Sequence, residues 1–221
     1  MLESVVTAYN EAIFDADRQR ALQVVQNAVA AGISPEDIVF QVVIPAIEQM
    51  ANQIAENPDA CLAQNFLMAR IGSAVTDEMV KKFAVPPHVV GRVILGTAMG
   101  DLHSLGKTIV GGCLKSLMFD VVDLGASVPP ERFVEEAVAR NAQVIGISSM
   151  MAHTALGDGG SKGVRRLLKE RHLEDRIKIV VGGAPYLFDP QLYQTVEADG
   201  WAPNGVTAGK VIGDLIEGME R

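Results

Sequence analysis

The chain has 221 residues, of which 48% are hydrophobic and 21% are charged, and its formal net charge is −8. This is the balance of an ordinary folded protein, and the length allows one large domain or two small ones. The acidic charge argues against nucleic acid or membrane as a main partner, because both select basic surfaces. The sequence has no apolar run of about 18 residues that could span a membrane, and its first residues lack the pattern of a signal peptide. We therefore expect a cytoplasmic protein.

Residues 1 to about 84 have the periodicity of helices. Ser34 followed by Pro35 and two acidic residues is typical of a helix start, with a side-chain cap and proline in the first turn. Pro45 should kink or divide the helix that follows. A further helix is predicted from about Leu62 to Phe83. This half of the sequence predicts a small helical bundle.

Strand and helix patterns alternate after Pro86-Pro87, a pair that favours an extended link. We therefore predict a helical domain over residues 1–88 and a second domain over residues 89–221. Five predicted strands that alternate with helices favour an α/β fold with a parallel, flavodoxin-like (Rossmann-like) sheet, which binds ligands beyond the carboxyl ends of its strands. The predicted strands are Val89–Thr97, Val121–Leu124, Val144–Ser148, Ile177–Val181 and Ala198–Trp201.

An aspartate and a histidine two residues apart follow the first predicted strand. A carboxylate such as Asp101 can accept a hydrogen bond from one ring nitrogen of His103, which fixes the tautomer and leaves the other nitrogen ready for a metal. Gly106 then allows the chain to turn into a helix. No second ligand stands at metal-binding spacing, so a metal here would bring its other ligands with it, as a macrocyclic cofactor does. The alternative is a structural pair that caps the turn.

Two further loops complete a recognisable pattern. The order Asp101-x-His103-x-x-Gly106, then Ser148-x-Met150, then Gly182-Gly183 resembles the cobalamin-binding domain of methionine synthase type, with methionine in place of the usual leucine. The helical half resembles the domain that precedes it in corrinoid proteins of methanol, methylamine and aryl methyl ether methyltransferase systems. The resemblance covers almost the whole chain.

The resemblance implies roles for ten residues. His103 would be the lower axial ligand of cobalt, replacing the cofactor's own dimethylbenzimidazole (the base-off/His-on state). Asp101 would accept a hydrogen bond from His103, and the hydroxyl of Thr154 would stand behind that carboxylate. The slot for the nucleotide tail would be lined by Gly106, Ser148, Met150, Gly182 and Gly183, and two further cofactor contacts would be Ser104, where many relatives have aspartate, and Ala184.

The function that the resemblance implies is that of a corrinoid methyl carrier rather than a catalyst. It would accept a methyl group on cobalt from an O-methyl or N-methyl compound through one substrate-specific methyltransferase. A second methyltransferase would pass the group to tetrahydrofolate or a thiol, and a reductive activase would restore the cofactor. The alternatives are a cobalamin-dependent sensor, the small subunit of an adenosylcobalamin mutase, and a flavodoxin-like module without corrin.

Overall fold

The computed structural model describes residues 1–56, 62–84 and 89–219. It divides the chain into two compact units, one formed by Met1–His88 with Lys115–Met118 and the other by Val89–Leu114 with Phe119–Arg221. The predicted link at Pro86-Pro87 lies outside the described residues. The predicted two-domain organisation, with independent folding on either side of residue 88, stays a prediction.

The first unit is helical, as its sequence periodicity predicts. Asp17 and Ser34 begin two of its helices, and their side chains accept hydrogen bonds from Arg20 N and Asp37 N, as N-caps do. No helix within the described ranges is long and apolar enough to cross a membrane. The helices are α1 (Leu2–Phe14), α2 (Arg18–Ala30), α3 (Pro35–Ile38), α4 (Ile44–Glu56) and α5 (Leu62–Val80).

The chain passes Pro45 without leaving the helical conformation. A π-helical segment, Val39–Val43, connects α3 to α4 just before the proline. Proline has no N–H to donate to the preceding turn, and a wider turn accommodates that missing bond. Pro45 therefore does not divide the helix, as the sequence had allowed it to; the helical conformation continues through it with a change from π-helical to α-helical hydrogen bonding.

The second unit is built on a parallel sheet of five strands in the order β2-β1-β3-β4-β5, which confirms the predicted fold class. Each neighbouring pair is parallel. The apolar strands β1, β3 and β4 are almost entirely buried, as the central strands of such a sheet must be. The strands are β1 (Arg92–Thr97), β2 (Asp120–Asp123), β3 (Val144–Ser148), β4 (Lys178–Gly182) and β5 (Gly200–Trp201).

Seven helices accompany the sheet in the part of the chain that the structure describes. Four of them follow the predicted βαβ alternation, whereas three short ones of four or five residues were not predicted, because they are too short to show helical periodicity. The predicted four are α6 (Leu105–Ser116), α7 (Pro130–Ala139), α9 (Ser161–Glu170) and α12 (Gly205–Met219), and the short ones are α8 (Ala152–Leu156), α10 (Ala184–Phe188) and α11 (Leu192–Thr195).

The strand order places a topological switch point between β1 and β3. The chain leaves these neighbouring strands toward opposite sides of the sheet, which opens a crevice at their carboxyl ends. The loops that follow β1, β3 and β4 all lie at this edge, since the three strands are adjacent and parallel. The ten candidate cofactor-binding residues all lie on or next to these loops.

Candidate functional site

A buried carboxylate holds an exposed imidazole in the loop between β1 and α6. Asp101 is 1% exposed, whereas the His103 side chain is 58% exposed. The Nδ1 atom of His103 lies 2.9 Å from Oδ1 of Asp101, and the same oxygen accepts the backbone N–H of His103 at 3.0 Å. A carboxylate against Nδ1 selects the tautomer that carries its proton there, so Nε2 keeps its lone pair. The arrangement is that of a metal-ligating histidine with its orienting partner.

The second oxygen of Asp101 contacts the loop that follows β3. Oδ2 accepts hydrogen bonds from the backbone N–H of Met150 at 2.6 Å and from Oγ1 of Thr154 at 2.9 Å. Thr154 has a single hydroxyl proton and a competing acceptor in the carbonyl of Met151 at 2.8 Å, so it donates to one of the two at a time. The contact between Thr154 and Asp101 is the one that the resemblance implies. Whether it tunes a bound cofactor stays a prediction.

The hydrogen bonds decide the protonation state of Asp101. Burial opposes ionisation, but donors from Met150, His103 and Thr154 outweigh it and lower the pKa of Asp101 to about 2. The carboxylate is therefore ionised at neutral pH. It provides a fixed negative charge beside the His103 ring.

Asp101→Asn is expected to destabilise the cofactor-free protein by about 2 kcal/mol at neutral pH and to flatten its acid sensitivity. The pKa is lowered from 3.8 to about 2 on folding. The stabilisation is thus complete above about pH 4 and is lost as the pH falls towards about 2. Asparagine does not titrate, and its NH2 group would face one of the N–H donors. Urea unfolding across this pH range, in which the folded baseline must be retained, measures both effects.

Asp175→Asn is the matched control, because Asp175 is an exposed aspartate of the same unit. Its unfolding curves should follow those of the wild type. A stability profile for Asp101→Asn that falls as steeply in acid as the wild-type profile would show that another group carries the acid sensitivity.

Glycine allows the backbones at the ends of β3 and β4 to approach each other closely. Ser148 is paired in register with Gly182, and Ser149 N donates to Gly182 O at 2.9 Å. Gly183 has a φ of +115°, and a Cβ there would lie 2.0 Å from Ser149 O, so only glycine fits. The predicted slot residues Ser148, Gly182 and Gly183 are thus brought together, and Ala184 follows as the first residue of α10.

The structure does not support the prediction that Gly106 lets the chain turn into α6, whereas its place in the cofactor slot stays a prediction. It lies within α6 and has no positive φ, so the helix start does not need a glycine there; the residue with a left-handed conformation in this loop is Gly100, at φ +85°. A Cβ at Gly106 would meet nothing within 4 Å. Gly106 is exposed, so the space beside it is open to solvent. The neighbouring Ser104 accepts hydrogen bonds through its carbonyl from Thr108 N and Oγ1.

The surface around His103 suits a large ligand with apolar edges. Leu102 is 76% exposed, and leucine and methionine side chains recur on the same loops. Exposed apolar groups concentrated at one edge usually mark a binding surface. Within the described ranges, no group of three or more His, Cys, Asp or Glu residues could hold a metal. A metal bound by His103 would therefore bring most of its ligands, and the apolar residues placed to border it are Met99, Leu102, Leu105, Met150, Met151 and Leu156.

Comparisons with known proteins agree with this reading. A family model described as a B12 binding domain matches residues 91–208, and a second model with the same description matches residues 5–57. The chain is 31% identical to trimethylamine corrinoid protein 1 of Methanosarcina acetivorans, over 85% of this chain and 86% of that protein. It is 29% identical to a corrinoid protein of Desulfitobacterium hafniense, over 98% and 99%.

The chain belongs to the B12-binding corrinoid proteins. Solved structures share its fold: a cobalamin-binding protein from D. hafniense has a TM-score of 0.72 at 23% identity, covering 95% of this chain and 98% of that one. A methanol:cobalamin methyltransferase complex from Methanosarcina barkeri has a TM-score of 0.74 at 22% identity, covering 97% and 80%. The corrinoid protein offers an exposed imidazole, an open glycine and an apolar border, and these residues fit the group that its family binds.

Proposed function

We propose that this corrinoid protein carries a methyl group on cobalamin between two methyltransferases, with His103 as the lower ligand of cobalt in the base-off/His-on state. The observation that carries the proposal is the exposed imidazole of His103, held through Nδ1 by the buried carboxylate of Asp101. When bound, the corrinoid supplies a cobalt centre that accepts and donates a methyl group.

The chain's own residues would hold and orient His103, the proposed ligand of cobalt. Asp101 holds the His103 ring so that Nε2 presents its lone pair. The nucleotide tail would be accommodated by Gly106, Ser148, Met150, Gly182 and Gly183. Two further cofactor contacts would be Ser104 and Ala184. The ionised Asp101 would hold the ring through Nδ1 and keep a negative charge beside it. Thr154 keeps that carboxylate in place through Oδ2.

Substrate activation would lie in partner proteins. In this site Asp101 and His103 are committed to each other, so neither is free to activate a methyl donor. We propose a first methyltransferase for a methylated amine, alcohol or ether, a second that uses tetrahydrofolate or a thiol, and a reductive activase. Relatives named trimethylamine and dimethylamine corrinoid proteins, and the fold shared with the methanol:cobalamin methyltransferase complex, support this assignment. A cytoplasmic location stays a prediction.

The purified protein, loaded with cobalamin and reduced, is expected to demethylate trimethylamine, methanol or an aryl methyl ether at no measurable rate by itself. Adding a methyltransferase specific for one of these compounds should start methylation of the cobalt, and adding a second, with tetrahydrofolate or a thiol, should complete the cycle. Stopped-flow absorbance with each component omitted in turn measures this.

The control is cofactor-loaded His103→Ala protein, which separates transfer that depends on the ligand from transfer to cobalamin that has escaped into solution. Saturable demethylation by the wild-type chain alone would mean that it holds a substrate site and acts as an enzyme. Failure of every methyltransferase of these three classes to methylate the loaded protein would contradict the carrier assignment.

A further inference from the structure

Two residues outside the predicted site hold the backbone of the histidine loop, which is the segment 98–104 between β1 and α6. Thr97 is the last residue of β1 and is fully buried. Its hydroxyl donates a hydrogen bond to the carbonyl of Asp101 at 2.5 Å. The same hydroxyl oxygen accepts the backbone N–H of Ser127 at 2.8 Å. One side chain thus joins the loop after β1 to the loop after β2.

Ser127 contacts the histidine loop at two points. Its backbone N–H also reaches the carbonyl of Asp101 at 3.0 Å, and its Oγ accepts the backbone N–H of Gly100 at 3.0 Å. Ser127 has a φ of +53°, in the left-handed region that costs free energy for a residue with a side chain. The hydrogen bonds of the Ser127 N–H and Oγ hold the backbone in this conformation.

The loop that carries Ser127 is itself fixed at both ends. Thr97 N donates to the carbonyl of Gly125, and Val128 N donates to the carbonyl of Thr97. Asp123, at the end of β2, accepts the backbone N–H of Gly125 at 2.8 Å and pairs with the buried ammonium of Lys107 in the first turn of α6. The loop is therefore a rigid support and not a free connection.

We propose that Thr97 and Ser127 are positioning residues for the cobalt ligand: they clamp the backbone of Gly100 and Asp101, so that the Asp101 carboxylate meets His103, Thr154 and Met150 together. The inference rests on the proposed function of His103. The geometric reason is that one carboxylate accepts four hydrogen bonds from two different loops. All four hydrogen bonds can form together only if the backbone that carries the carboxylate is held in place.

The test compares Thr97→Val with Thr97→Ser in the full chain loaded with cobalamin. Valine fills nearly the same volume without the hydroxyl, whereas serine retains it. Absorbance spectra of the bound cofactor report histidine coordination, with wild-type and His103→Ala proteins as the two end states. We expect Thr97→Val to lower the equilibrium constant for coordination about tenfold, as loss of supporting contacts around a metal ligand does, and Thr97→Ser to retain the wild-type spectrum.

Two further variants keep the test decisive. Thr76→Val is the matched control, since Thr76 is buried and its hydroxyl has no hydrogen-bond partner in the part of the chain that the structure describes. It should leave the spectrum unchanged. Ser127→Ala serves where Thr97→Val fails to fold, because Ser127 lies in a partly exposed loop. It should weaken coordination and speed hydrogen exchange at the Gly100 amide.

The outcomes separate the inference from the proposed function. If wild-type and His103→Ala spectra coincide, the ligand assignment itself is wrong. If those spectra differ while Thr97→Val and Ser127→Ala both match the wild type, the ligand assignment stands and the clamp is overturned. Equal loss of coordination in Thr97→Val and Thr97→Ser would also overturn the clamp. Serine retains the hydroxyl, so the loss could not then come from the missing hydrogen bonds of that hydroxyl.

Discussion

His103→Ala is expected to remove the protein ligand from cobalt altogether while leaving cofactor in the protein. Alanine cannot coordinate a metal, and the slot residues at the ends of β3 and β4 remain. The absorbance spectrum of the loaded variant should change to that of cobalamin without axial histidine. Cofactor affinity should fall by at least the roughly 10- to 100-fold seen when a metal ligand loses only a supporting partner. Spectra and equilibrium dialysis of the loaded protein measure the two effects.

His153→Ala is the matched control for this variant. His153 is also an exposed histidine of the second unit and lies in the short helix α8, three residues after Met150. We expect its spectrum and affinity to equal those of the wild type. A normal spectrum for a folded His103→Ala protein, or a spectral change in His153→Ala alone, would assign the ligand to another residue.

Of the substitutions considered, Gly183→Ala is expected to lower the free energy of unfolding most. A Cβ at this residue would lie 2.0 Å from Ser149 O and 2.9 Å from Ser149 C, both backbone atoms that cannot move aside without displacing β3. The φ of +115° adds strain for any residue with a side chain. Together these effects should lower the free energy of unfolding by roughly 3 to 5 kcal/mol. Cobalamin binding should weaken as well, because the loops after β3 and β4 would separate.

Gly213→Ala provides the control for this substitution. Gly213 lies inside α12, where a Cβ would meet nothing within 4 Å. Alanine is the better helix former, so this variant should gain about 0.5 to 1 kcal/mol. Urea unfolding of both variants measures the difference. A Gly183→Ala protein of wild-type stability would show that the ends of β3 and β4 are further apart than the structure places them.

The sheet could be predicted because its strands are short apolar runs that lack the helical periodicity of the segments around them. Val144–Ser148 has the predicted bounds, and the other four strands begin or end within three residues of the predicted positions. Short β-rich runs separated by helical patterns leave few topologies open, since parallel crossovers share one hand. The helices α8, α10 and α11 could not be predicted in this way, because four or five residues do not complete a periodic pattern.

The candidate site was predictable only in part. Asp101 and His103 are two residues apart, so their contact follows from local geometry, and the resemblance supplied Thr154. The contacts of Thr97 and Ser127 join side-chain hydroxyls to backbone atoms, and the two residues themselves lie 30 positions apart. The presence of a threonine or serine in a sequence does not show which distant backbone atom its hydroxyl contacts. The one available signal was that Ser127 follows a predicted strand, and so lies at the edge of the sheet that binds ligands.

The role expected of Gly106 shows the same limit. A glycine near a helix start suggests a turn, but the left-handed residue in this loop is Gly100. Whether a glycine is needed for its φ or for the space beside it depends on the fold around it, and the two uses look the same in a sequence.

Whether His103 supplies an axial nitrogen to a bound corrinoid is tested most directly by electron paramagnetic resonance of the loaded protein in its cobalt(II) form. The chain would be produced with nitrogen-15 histidine and loaded with unlabelled cobalamin. An axial nitrogen-15 splits the cobalt lines into doublets, whereas the nitrogen-14 of the cofactor's own base gives triplets. We predict doublets for the labelled wild-type and His153→Ala proteins and none for His103→Ala. Triplets in the labelled wild type, or lines without nitrogen splitting, would contradict histidine coordination.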